Sequence, residues 1–306
     1  MSTEFVGWAS AHRSDMVGQS PTLQLMDRWY GHSIPHGHSL TRVLFAILLI
    51  IFLFSVILLI LPHRHHPPID TRQTAQFHSI ETALELFRSD SDYYSPSGAM
   101  DDEGRHYCGA MKLCEAAMGR DLQGFHPNSK FKADGLDESG ELLYEPNTLD
   151  ARKGPYLPEE NGHPYRLKNL YKNVSPFDGN DYVLCDEWRG VTHLSTGRRV
   201  GMPVLYYKAD TSKMAHDVND PNNPENIYDY RDNHALLALG VPGDPNQKHP
   251  LFENPKMFYE MTRNYKYAKT RKPNRADTFI LLSAGPDGLY GTKDDITNFV
   301  MRWKPK

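Results

Sequence analysis

The strongest pattern along this chain is a run of apolar residues near its start. From Val43 to Pro62 there are 20 residues without a charge, and about 19 of them at 1.5 Å each reach roughly 28 Å, the depth of a bilayer core. The run is expected to form a single transmembrane helix over 43–62. A cleaved secretory signal would need a shorter apolar core and a small-residue cleavage site, whereas Leu61-Pro62-His63 follows here. Arg28 and Arg42 before the run are matched by Arg64 and Arg72 after it, so flanking positive charge sets no orientation. Residues 1–42 hold Leu23, Leu25, Met26, Trp29 and Tyr30 without a sustained period and read as an unstructured tail. Residues 63–69 contain Pro67-Pro68, which denies a helix its backbone donors, and read as a stiff joint.

A second periodic stretch follows. Phe77, Ile80, Leu84 and Phe87 recur at spacings of three, four and three, which puts them on one stripe of a helix over about 71–89. Asp70 is placed to cap it, with Gln73 three residues on. The next ninety residues are rich in Gly, Pro, Asn and Asp and show little period, apart from a short helix expected over 110–118. Strand signals are short: 181–185, 203–208 and, most clearly, Thr278 to Ser283. Together they predict an α+β domain over 70–306, in which the amphipathic helix packs on a small antiparallel sheet between long loops. The acidic, Asn- and Pro-rich stretch 217–225 is expected to be a surface loop.

Composition narrows the function classes. The 306 residues carry 34 Lys plus Arg against 38 Asp plus Glu, a formal net charge of -4, and no basic block that would track phosphates, so nucleic acid is not an expected partner. Three cysteines, Cys108, Cys114 and Cys185, are too few for a disulfide framework. No G-x-S-x-G, H-E-x-x-H or phosphate-cradling G-x-x-x-x-G-K-[ST] occurs, and the fifteen histidines stand in unrelated contexts, so the chain is not expected to be an enzyme.

The candidate chemistry lies at the C-terminal end. Directly after the clearest strand, the stretch from Gly285 to Asp295 holds Asp287, Asp294 and Asp295 together with Gly285, Gly288 and Gly291. Glycines let such a loop fold back and turn carbonyl oxygens inward, and calcium takes six to eight oxygens from carboxylates and carbonyls. The spacing is not that of an EF-hand. On the chemistry alone, a solvated turn with incidental aspartates is the plainer reading, since acidic turns are common.

The order of these elements, with Ser283, Gly285, Asp287 and Gly288 in an S-x-G-x-D-G pattern and Asp294-Asp295-Ile296 closing it, resembles the major pseudopilins of type II secretion systems and related pilin-like proteins. Asp186-Glu187-Trp188 and Gly201-Met202-Pro203-Val204-Leu205-Tyr206 are similar to that family's D-x-W-G-x-P-x-x-Y strand pair, separated here by an inserted hairpin around Ser195-Thr196-Gly197. The resemblance implies a calcium ion held by Asp287, Asp294 and Asp295, with carbonyl oxygens near Ala284 and Thr292. It also implies a membrane-anchored, non-enzymatic structural or accessory subunit whose partners are the lipid bilayer and other pilin-like subunits or a secretion assembly. A weak extracellular-type calcium site would stay empty in the cytosol, so the N-terminus is expected to be cytoplasmic and the domain extracytoplasmic. The chain departs from the family where His38 and Arg42 stand in place of the aromatic and the glutamate that follow the cleavage glycine. Cleavage after Gly37 is therefore not expected. A second function class, a membrane-tethered module binding a peptide or glycan, is compatible with the 17 Tyr and four Trp.

Overall fold

The computed structural model describes residues 38–60, 69–267 and 272–302. Contacts divide the chain into two units, Met1–His65 and His66–Lys306. In the first unit, helix α1 covers His38–Ile60, so the tail expected over 1–42 gives way to helix at His38. The rest of that tail, Gly37 included, residues 61–62 of the expected membrane segment and 63–68 of the expected joint lie outside the described residues.

Among the described residues no helix is long and apolar enough to cross a membrane, which corrects the transmembrane expectation for 43–62. Helix α1 takes the polar His38 and Ser39 and the charged Arg42 into its first turns. Its described side chains, 40–55, are all exposed.

In the second unit, helix α2 covers Ile69–Ser91. It starts one residue before Asp70, so that residue lies in the first turn instead of capping it. The expected stripe is buried, with Phe77, Ile80, Leu84 and Phe87 joined by Ala83. Phe87 meets the rings of Phe125 and Tyr93 edge-on at 4.8 and 5.7 Å, a favoured aromatic geometry. Two buried amides on the first turns dock the helix. Gln76 Nε2 donates to the Cys185 carbonyl at 2.8 Å, and Gln73 Oε1 accepts the Glu187 N–H at 2.8 Å.

Helix α3, Gly109–Met118, is buried along its whole length and lies between α2 and the strands. The expected packing of α2 directly on the sheet is therefore corrected: α2 packs on α3 and meets the sheet at its last strand. Close approach explains Gly109, where a Cβ would collide with the Tyr206 carbonyl oxygen. Asn233 bridges the same junction, accepting the Ala110 N–H at 2.9 Å and donating to the Tyr206 carbonyl at 2.7 Å. The charges on α3 are buried but satisfied, as burial demands. Lys112 Nζ donates to the carbonyls of Gly98 and Met100, each at 2.8 Å. Glu115 accepts from the hydroxyls of Tyr107, Ser129 and Tyr144 at 2.8, 2.6 and 2.6 Å.

Strands β1 (Pro164–Arg166) and β2 (Tyr182–Leu184) pair antiparallel, as do β3 (Val191–Thr192) and β4 (Arg199–Val200). The second pair is the expected hairpin around 195–197. Strands β5 (Leu205–Lys208), β6 (Phe279–Ser283) and β7 (Ile296–Thr297) form an antiparallel sheet in that order, with Leu205 opposite Leu282 and Ser283 opposite Ile296. All five residues of β6 are buried, which is why it reads as a continuous apolar run instead of an alternating one. The α+β class and the small antiparallel sheets stand as expected.

Candidate calcium loop

The loop 284–295 leaves the central strand β6 and returns as β7, and the Ser283–Ile296 pair closes it. Gly285, with φ +65°, sits where a Cβ would strike the Asp294 carbonyl oxygen, so the two arms of the loop are pressed back to back at this position. Only glycine meets both conditions. Further along, the Tyr290 hydroxyl donates to the Pro203 carbonyl. The Tyr290 N–H donates to His249 Nδ1 at 3.4 Å, and the Tyr290 carbonyl accepts the Leu251 N–H at 3.0 Å. One side of the loop is thus anchored in the core.

The structure separates the three aspartates. Asp295 is buried. Its Oδ2 accepts the Gly291 N–H at 2.8 Å, while Oδ1 is buried with no hydrogen-bond partner among the described residues. Burial holds this carboxyl well above the usual range; the Gly291 and Thr292 N–H groups oppose the shift, and the charges of Asp287 and Asp294 add to it. Asp294 is half-buried. Asp287 is exposed, and its Oδ1 accepts the Leu289 N–H at 2.9 Å. Thr292 turns its hydroxyl to the Asp294 N–H at 3.3 Å, and Ala284 is buried. Among the described residues no group of three His, Cys, Asp or Glu side chains is close enough together to hold a metal ion.

An orphaned buried oxygen of Asp295, with two neighbouring carboxylates that add to its strain, is the situation that a hard cation relieves. The donors fit such an ion in kind: Asp295 and Asp294 from side chains, with Ala284 and Thr292 offering carbonyl oxygens.

Sequence reasoning did not find the residue that holds the loop's entry. Ser283 Oγ donates to Asp186 Oδ2 at 2.7 Å and accepts the Gly285 N–H at 3.1 Å. The signal was present, since Asp186 and Ser283 both open patterned motifs, but nothing in their spacing announces that they touch. Two buried histidines take ordinary roles. His216 and His249 are buried, donate from Nε2 to the carbonyls of Tyr259 and Gly240 at 2.7 and 3.2 Å, and are pushed down to about 4 by burial. No family model, curated protein or solved structure matches this chain.

Proposed function

We propose that this chain is a non-enzymatic structural or accessory subunit of a pilin-like or secretion assembly, attached to a lipid bilayer through α1 and carrying a calcium-stabilised C-terminal loop. The observation that supports it is the loop 284–295, closed by the Ser283–Ile296 pair around a buried Asp295 with one free oxygen. The exposed apolar side chains of 40–55 support lipid attachment, because such a surface is costly in water. On this reading residues 69–306 lie on the extracytoplasmic side, where calcium is plentiful enough for a weak site.

Calcium, when bound, supplies the positive charge that the three aspartates lack. The chain's own part is to hold Asp295 dry, to fold Gly285 against Asp294, and to tie the loop's first residue to Asp186 through Ser283. A cation that binds only the folded form stabilises by about 2.7 kcal/mol at 100 times its Kd. The full chain in neutral detergent should therefore melt several degrees higher in millimolar calcium than in chelator. Magnesium should substitute poorly, since it demands a tight octahedron. Asp295→Ala should remove the difference. Equal melting temperatures of the native chain in calcium and in chelator would sink the calcium loop and, with it, the main support for a pilin-like subunit.

A further inference from the structure

The β3–β4 hairpin folds back over the segment 186–190 and builds a site that the calcium loop does not use. Arg199 locks the hairpin. Its Nε donates to the Arg189 carbonyl at 3.0 Å, its Nη2 to the Gly190 carbonyl at 2.8 Å and its Nη1 to Thr192 Oγ1 at 3.0 Å. Beside it lies a cavity of about 420 Å³ lined by His163, Tyr165, Glu187, Arg189, Arg198 and Arg199. The guanidinium groups of Arg189 and Arg198 make no hydrogen bond or ion pair among the described residues. Both lie near the Tyr165 hydroxyl: burial raises its pKa, and Arg198 and Arg189 oppose that rise.

The acidic groups at this cavity are already engaged. Glu187 Oε1 meets His163 Nε2 at 3.0 Å and its Oε2 lies 3.9 Å from Arg72; the hydrogen bond from His163 holds it below the usual carboxylate range. Asp186 lines the cavity too, but its oxygens accept from the Trp188 and Met202 N–H groups and from Ser283. What remains without a hydrogen bond or ion pair is the pair of guanidinium forks of Arg189 and Arg198, lining the same cavity as Tyr165, with Glu187 near enough to Arg189 to feel its charge. Forked donors of this kind match the oxygens of a phosphate group, two at a time.

We propose that the cavity between the β3–β4 hairpin and Tyr165 is an oxyanion site that binds a phosphate group through Arg189, Arg198 and the Tyr165 hydroxyl. Its volume exceeds that of a bare phosphate, so the group is carried as an ester on a small polar moiety. Such a group reaches the site either on a soluble molecule or as a lipid headgroup.

Two measurements on the full chain test this and separate the sources. In neutral detergent at fixed ionic strength, titration calorimetry with inorganic phosphate should give binding that Arg189→Gln/Arg198→Gln weakens roughly tenfold or more. Lys256→Gln/Lys266→Gln, which removes the same charge from exposed positions elsewhere, should bind as the native chain does. Tyr165→Phe should weaken binding without altering net charge. In the second arm, partition onto phosphatidylglycerol vesicles is compared with partition onto phosphatidylcholine. A preference for phosphatidylglycerol that the arginine variant loses and the lysine variant keeps supports the lipid source; binding of phosphate without that preference supports the soluble one. The site is overturned if neither arm distinguishes the arginine variant from the lysine variant. Both arginines are exposed and unbonded, so the double variant should keep the native melting temperature, which makes a negative result decisive.

Discussion

Ser283, the last residue of the central strand, donates its hydroxyl to Asp186, 97 positions earlier in the chain, at 2.7 Å. Asp186 Oδ1 also accepts the N–H groups of Met202 and Trp188 at 2.9 and 3.2 Å. One buried carboxylate therefore joins the segment after β2, the entry to β5 and the mouth of the loop 284–295. Ser283→Ala leaves Asp186 Oδ2 without its donor in a dry site, and should lower stability by about 1–3 kcal/mol. Urea unfolding of the full chain measures this directly, and an unchanged midpoint would show that the contact carries no stability.

Asp232 should make part of the stability depend on pH in an unusual direction. Burial pushes its carboxyl from the ordinary 3.8 up to about 7, against the hydrogen bond from Ser97 Oγ at 2.5 Å. Between these two values the folded state holds a proton that the unfolded state has released, so this group's contribution is complete below about pH 4 and fades as pH rises through 7. The melting temperature of the native chain minus that of Asp232→Asn should therefore increase as pH is lowered from 8 to 5. A difference that is flat or shrinks on acidification contradicts the assignment.

All three cysteines are free and buried. Burial raises the thiol pKa of each, that of Cys108 to about 11, so the reactive thiolate is scarce as well as inaccessible. A thiol reagent should add nothing to the folded protein within minutes and three groups once it is denatured, without a reductant in either case. Fewer than three in the denatured sample would reveal a disulfide.

Gly285→Ala puts a methyl group against the Asp294 carbonyl at φ +65°, which opposes both the turn and the closure of the loop. The expected result is a lower melting temperature together with loss of the calcium response. Retention of a full calcium shift would show that the back-to-back packing is dispensable for the metal.

Phe87→Ala removes the ring that meets Phe125 and Tyr93 and should cost about 3–5 kcal/mol, the usual range for a buried aromatic. An unfolding midpoint within error of the native value would mean that this end of α2 is not held by the core.

The parts of the fold that could be read from the sequence are those whose residues answer to their nearest neighbours. The stripe from Phe77 to Phe87 follows helical spacing, and the run Thr278 to Ser283 is uniformly apolar because β6 is covered on both faces. Helix α3 was legible as a helix but not as the layer beneath α2, since Lys112 and Glu115 mark a solvated face until Gly98, Met100, Tyr107, Ser129 and Tyr144 arrive to bond them. The apolar run misled in the other direction: composition located α1, but not its start at His38. At the loop, the glycines and aspartates were recognisable from their pattern. Which aspartate would be buried depends on the approach of Gly285 to Asp294 and on the anchoring of Tyr290, neither of which is encoded in spacing.

Near the opposite end of the domain's chain from its partners, Glu81 on α2 accepts from Asn298 Nδ2 at 2.9 Å and pairs with Arg275 at 2.5 Å. The order of synthesis gives this a cost. Asn298, 217 positions after Glu81, and β7, the strand that α2 meets, are both made long after the helix they fasten. Until then the Glu81 face of α2 lacks its fastening, although α3, on which the helix packs, is already made. Through that interval the helix is held on one side only, and the yield in a cell should depend on chaperone supply during synthesis as well as on the stability of the finished domain.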